Sequence, residues 1–169
     1  LDLPIINMLD AGFAERRPPS APSLPQPHGH GRASTFSYPY AESKARLDRM
    51  RNSEALHACH GFKMPYLDPA TGRSPMRAIG TFLQLLPRGF AGAPHRATDS
   101  TIFCVVEGSG CTRIGATTLT WKQHDVFVAP SWMPVAHSSA TDAVLFSASD
   151  RAAQKALGIW REDRVVEGV

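Results

Sequence analysis

Two stretches decide the fold: PHRATDSTIFCVVEGSG from Pro94 to Gly110, and HDVFVAPSW from His124 to Trp132. Thr101 to Val106 is an apolar run rich in β-formers, and it runs into Glu107-Gly108-Ser109-Gly110, a tight turn. A second strand follows that turn, and Asp125 to Ala129 forms a third strand that stops at Pro130-Ser131-Trp132. Further apolar runs lie outward from this centre: Ala78 to Leu86, Thr112 to Ile114, Thr117 to Trp121 and Ala143 to Ser147. Gly, Pro, Ser or Asp punctuates each of them. Many short strands at this spacing predict an all-β, antiparallel, double-sheet barrel over roughly residues 74–149.

The flanks read differently. Residues 18–39 carry six prolines, which predicts an extended arm over residues 1–40 rather than a packed element. Ile5, Ile6, Met8, Leu9 and Phe13 make the start of that arm apolar enough to dock on something. AESKARLDRM, Ala41 to Met50, is rich in helix formers, with Leu47 and Met50 three apart on one edge. It opens an approach segment, 41–73, that closes at the turn Asp68-Pro69-Ala70-Thr71-Gly72. After the barrel, Asp150 is expected to cap a helix from Arg151 to Leu157 that stops at Gly158, within a closing segment 150–169.

Composition excludes several function classes. The 169 residues fit one domain with appendages, and 43% hydrophobic content supplies a core. The formal charge is only +3, with no long Lys/Arg block, which argues against a nucleic-acid surface. No run approaches the length of a membrane span, and no signal peptide opens the chain. Cys59, Cys104 and Cys111 are odd in number and form no CxxC pair, which points to a reducing cytoplasm. Cys104, between apolar neighbours, is expected to be a buried free thiol. No G-x-S-x-G, P-loop or G-x-G-x-x-G occurs. The chain opens Leu-Asp-Leu-Pro without an initiator Met and reads as a piece of something longer.

The histidines are the residues most suited to metal chemistry. His95 precedes the first barrel strand, where an imidazole can point into the barrel mouth; it is either a ligand or a hydrogen-bonded rim histidine. His28-Gly29-His30 has two-ligand spacing but lies in the proline-rich arm, without a rigid scaffold. His57-Ala58-Cys59-His60 is a denser cluster, but it lacks the second half that a four-ligand zinc site needs, and it reads as a junction between helix and barrel. Arg88, Arg96 and Arg113 are candidate carboxylate clamps, with Arg96 favoured as a surface residue. Phe127 and Trp132 read as core or interface aromatics.

The strand–turn–strand–Pro order resembles a cupin, the double-stranded β-helix or jelly-roll barrel. Longer words sharpen the resemblance: YPYAESKARLDRMR, HGFKMPYLDPATG, TFLQLLPRGF, STIFCVVEGSGCTRIG, HDVFVAPSW-x-PVAHSS and AVLFSASDRAAQKALGIWRE, in that order. Together with LDLPIINMLDAGFAE at the start, they resemble the C-terminal cupin half of the gentisate 1,2-dioxygenase family, with salicylate and 1-hydroxy-2-naphthoate dioxygenases as similar bicupins.

That resemblance implies ring opening of a small aromatic acid by O2 with Fe(II). It also implies a homo-oligomer, a tetramer in the family, with no nucleic-acid or membrane partner. It places the catalytic iron in the N-terminal cupin, to which nothing here corresponds. Metal-using cupins enter with His-x-His, then a Glu and a later His. Here the first pair is His95-Arg96-Ala97, and Thr101 stands where the Glu belongs. Val135 stands where the last histidine belongs, and His137 comes two residues later. A shift of two preserves facing along a strand, so His95 and His137 are the metal candidates of a degenerate site. The competing expectation is a non-catalytic cupin that serves as a structural, oligomerisation or small-molecule-binding module.

Overall fold

The computed structural model describes residues 37–165. The arm through Phe36, with His28 and His30, therefore lies outside the described residues. Helix α1 spans Tyr40–Ser53. The strands are β1 (Phe62–Pro65), β2 (Gly80–Leu86), β3 (Phe90–Ala91), β4 (His95–Ala97), β5 (Thr101–Glu107) and β6 (Ser109–Ile114). They continue as β7 (Thr117–Lys122), β8 (Val126–Ala129), β9 (Val135–Ser139) and β10 (Ala143–Ser149). Helix α2 (Arg151–Ala156) and strand β11 (Glu162–Arg164) close the described chain.

The strands form two antiparallel sheets. One has the order β1-β2-β10-β5-β8; the other runs β11-β4-β9-β6-β7, with β3 added alongside β9. The sheets thus recruit Phe62–Pro65 before residue 74 and Glu162–Arg164 after residue 149. Alternation sorts the side chains. Leu86, Phe103, Val105, Ile114, Trp121, Phe127, Ala129, Val135, Ala143 and Leu145 fill the space between the sheets.

The opposite face of the first sheet is covered by α1. Leu47, fully buried, seats on Phe62, Met64, Leu83, Leu85 and Val144. Burying such a side chain contributes about 2 kcal/mol. Ser43, one turn earlier on the same face, is also buried. The turn from β5 to β6 depends on Gly108, whose φ is +79° and whose position would drive a Cβ into the Asp142 carbonyl oxygen.

Two expectations are corrected. Cys104 is free but only half-buried, because alternation turns Phe103 and Val105 inward and Cys104 outward, beside Val126. The buried thiol is Cys59. Asp150 precedes α2, but its carboxylate does not cap the helix. It accepts instead from the Ser100 backbone N–H and from Gln154 Nε2.

Candidate functional site

Short polar strands build the site. His95 opens β4 and pairs with Val135 on β9 on one side and with Arg164 on β11 on the other. Glu162 is the cross-strand partner of Ala97. His95, Ala97 and Glu162 therefore share one face of the sheet, and Arg96 and Asp163 share the other, where they form a 3.1 Å ion pair. Arg96 also lies over the Trp132 ring, at 4.7 Å.

His60 arrives from the turn before β1. The bridge between His57 and Gly61 closes that turn, and His57 Nδ1 accepts from the backbone N–H of Cys59 and His60. The His57 ring stacks on His60 at 4.8 Å, and His60 meets the His95 ring edge-on at 4.3 Å. His60 Nε2 donates to Glu162 Oε1 at 2.8 Å. The ligand atoms of His60, His95 and Glu162 all lie within 4.8 Å of one another, close enough to hold a metal ion. They line an open cavity of about 330 Å³ with Cys59 and Trp160.

Electrostatics follow from burial. Desolvation, with the nearby His60 and Lys63, pushes the His95 imidazole down to about 3. His60 is also lowered, by burial acting against its bond to Glu162. That same bond holds the Glu162 carboxyl down at about 2. The set is two neutral imidazoles and one carboxylate, the donor chemistry of a divalent cation. Among the described residues, His95 Nδ1 and His60 Nδ1 are buried without a hydrogen-bond partner.

His137 faces the same interior but is held differently. Its Nδ1 lies 2.8 Å from Thr112 Oγ1, which also accepts from the Trp121 indole at 2.8 Å. Phe103 and Phe127 pack against its ring at 5.0 and 6.4 Å. Burial holds its imidazole well below the usual range. Deeper polar groups, Gln84 and Ser147, are fully buried and also lack partners among the described residues.

Both metal candidates from the sequence, His95 and His137, are buried in the structure. Sequence reasoning read His60 as a junction residue and missed Glu162. The usual ligand face of the barrel does not fit iron: Ala97 and Val135 carry no donor atoms. Of the arginines, Arg96 is tied to Asp163, and the Arg88 backbone N–H donates to Asp142. Phe127 is core, whereas Trp132 is 41% exposed.

The two antiparallel sheets and this inward-facing histidine set define the chain as a cupin. A salicylate 1,2-dioxygenase from Pseudoaminobacter salicylatoxidans, solved with gentisate, superposes with a TM-score of 0.70 at 26% identity. That match covers 78% of this chain and 37% of the other. No family model matches the chain. In sequence, the chain is 41% identical to "Gentisate 1,2 dioxygenase 1" of Aquipseudomonas alcaligenes, over 97% of its own length and 52% of the relative's. It is 31% identical to a 5-aminosalicylate 1,2-dioxygenase of Comamonas sp, over 96% of its own length and 48% of the relative's. The chain belongs to the gentisate 1,2-dioxygenase family and matches the C-terminal half of a bicupin. It spans about half the length of the curated relatives it matches.

Proposed function

We propose that this chain supplies the C-terminal barrel of a gentisate 1,2-dioxygenase-like enzyme that opens the ring of gentisate, or a related salicylate or hydroxynaphthoate, with O2. The observation that carries the reading is the 41% identity along nearly the whole chain to one half of such an enzyme. Fe(II), where bound, supplies coordination positions for the substrate's carboxylate and hydroxyl and for O2. In this reading the other barrel holds it, because Ala97, Thr101 and Val135 replace ligands here. Of the two metal candidates His95 and His137, His95 has a buried ring nitrogen without a hydrogen-bond partner among the described residues, whereas His137 Nδ1 is engaged by Thr112. The reading includes a cytoplasmic setting and a homo-oligomer, tetrameric as the family resemblance implies. Among the described residues, no helix is long and apolar enough to cross a membrane.

The test supplies Fe(II) to the chain anaerobically, adds gentisate and O2, and follows maleylpyruvate absorbance. No substantial turnover is expected from the chain alone, and turnover is expected when an N-terminal barrel of a relative precedes it. Robust turnover by the chain alone, abolished by both His95→Ala and His137→Ala, overturns the division of labour. Sedimentation velocity reads the assembly.

A further inference from the structure

We propose that His60, His95 and Glu162 form a divalent-cation site that fastens the 57–61 turn and β11 to the barrel, a structural site separate from ring cleavage. The three donors come from three segments. Strands β4 and β11 are joined by their short ladder and the Arg96–Asp163 pair, and the 57–61 turn is joined through the Ala93 N–H to the Ala58 carbonyl. A shared cation would add a side-chain cross-link to these contacts. The His57–Gly61 turn closes on itself. Strand β4 is three residues long, and β11 is three charged, exposed residues with no apolar side chain to bury. A cation shared by the three would cross-link segments separated by 35 and 67 positions, such as His60 to His95 and His95 to Glu162.

Register explains how the site arises. The position occupied by Ala97 has no donor, and its small side chain leaves room on the inward face. Its cross-strand partner is Glu162, so β11 brings a carboxylate over the gap. His60 then reaches in from the turn before β1, which the two N–H bonds to His57 Nδ1 fix. The hydrogen bond from His60 to Glu162 explains those two residues but not His95. His95 is 9% exposed, sits against the His60 ring edge, and keeps a buried Nδ1 without a partner among the described residues. Donors bound to one tetrahedral cation lie about 3.3 Å apart. From 4.8 Å, side-chain rotation has to close roughly 1.5 Å. Glu162 keeps 27% of its side chain exposed, which leaves an entry path.

The experiment uses the full chain, stripped with EDTA and titrated with Co(II) and Zn(II). Expected results are one equivalent bound, visible d–d absorption from Co(II), a raised melting temperature, and slower hydrogen exchange at residues 162–164. His60→Ala, His95→Ala and Glu162→Gln should each weaken binding tenfold or more, whereas the double variant His28→Ala/His30→Ala should bind as the parent does. Because Glu162 is partly exposed on a short strand, Glu162→Gln reports even if a histidine variant fails to fold. The proposal fails if the parent binds no cation, or if Glu162→Gln binds as tightly as the parent. It also fails if binding follows Cys59→Ser or the arm histidines instead.

Discussion

His137 and His95 are both inward-facing histidines on neighbouring strands of one sheet, yet their surroundings differ. His137 is enclosed by Phe103 and Phe127, and its Nδ1 is engaged in a chain from Thr112 to Trp121. His95 sits among charged and polar groups, with one ring nitrogen unpartnered among the described residues. The first is a packing element with a polar atom satisfied locally. The second retains a coordination capacity that its neighbours do not consume. Facing alone, which strand alternation supplies, does not separate these two roles; the hydrogen-bond partners do.

The largest expected effect tests the packing role. His137→Ala should lower stability by about 3 kcal/mol, since it opens a void beside two aromatic rings and removes the partner of Thr112. Urea denaturation measures it, and cation binding should persist wherever the variant folds. A loss under about 1 kcal/mol would erase the contrast with His95.

Asp99 supports the polar side. Its buried carboxylate accepts from Arg151 Nε at 3.3 Å and from Trp160 Nε1 at 2.7 Å. Asp99→Ala should cost about 2–3 kcal/mol, because it leaves a largely buried guanidinium and an indole N–H without their acceptor. Thermal melting at pH 7 checks this, and Asp99→Asn should recover part of the loss.

Acid gives a smaller, graded effect. The His137 imidazole is depressed in the folded state, while the unfolded chain titrates near 6.5. Its stabilising contribution is therefore complete above pH 6.5 and is lost as pH falls below it, by about 1.4 kcal/mol per pH unit. His95, Lys63 and His60 act on it in the same sense. Denaturation curves from pH 7.5 to 5 should show this slope in the parent, and His137→Ala should reduce it by one proton's worth. An unchanged slope would contradict the neutral, buried assignment.

The smallest effect lies outside the barrel. Trp132→Ala removes the ring beneath Arg96 and should cost about 0.5 kcal/mol, measured by the same melts. A loss several times larger would mean that the Arg96–Asp163 pair needs the ring to hold β11.

The strands with apolar alternation are legible in the sequence: β2, β5, β7, β8 and β10 fall on runs read from residues alone, and β6 does so only from Thr112, since it already begins at Ser109, inside the stretch read as a turn. The short ones are not. HRA and EDR have no hydrophobic period, and β11 becomes a strand only through pairing with β4. Glu162 was missed for that reason. His60 was visible as a histidine but not as a neighbour of His95, since a contact across 35 positions depends on the closed barrel. The donorless positions Ala97 and Val135 were readable as a degenerate ligand face. That a carboxylate from another strand overlies Ala97 was not.

The three tryptophans stand in three different settings, which gives the protein internal optical probes. Trp121 is 3% exposed, stacks near Phe127 and donates to Thr112, so its emission should be blue-shifted and report on the barrel core. Trp132 is exposed beneath Arg96 and should emit at longer wavelength. Trp160 lines the cavity shared with His60, His95 and Glu162, and lies under Arg151 and Lys155 at 4.6 Å. A paramagnetic cation such as Co(II) bound among those donors should quench Trp160 selectively. One fluorescence titration, repeated with Trp160→Phe, can therefore follow the polar side of the barrel while Trp121 reports that the core is unchanged.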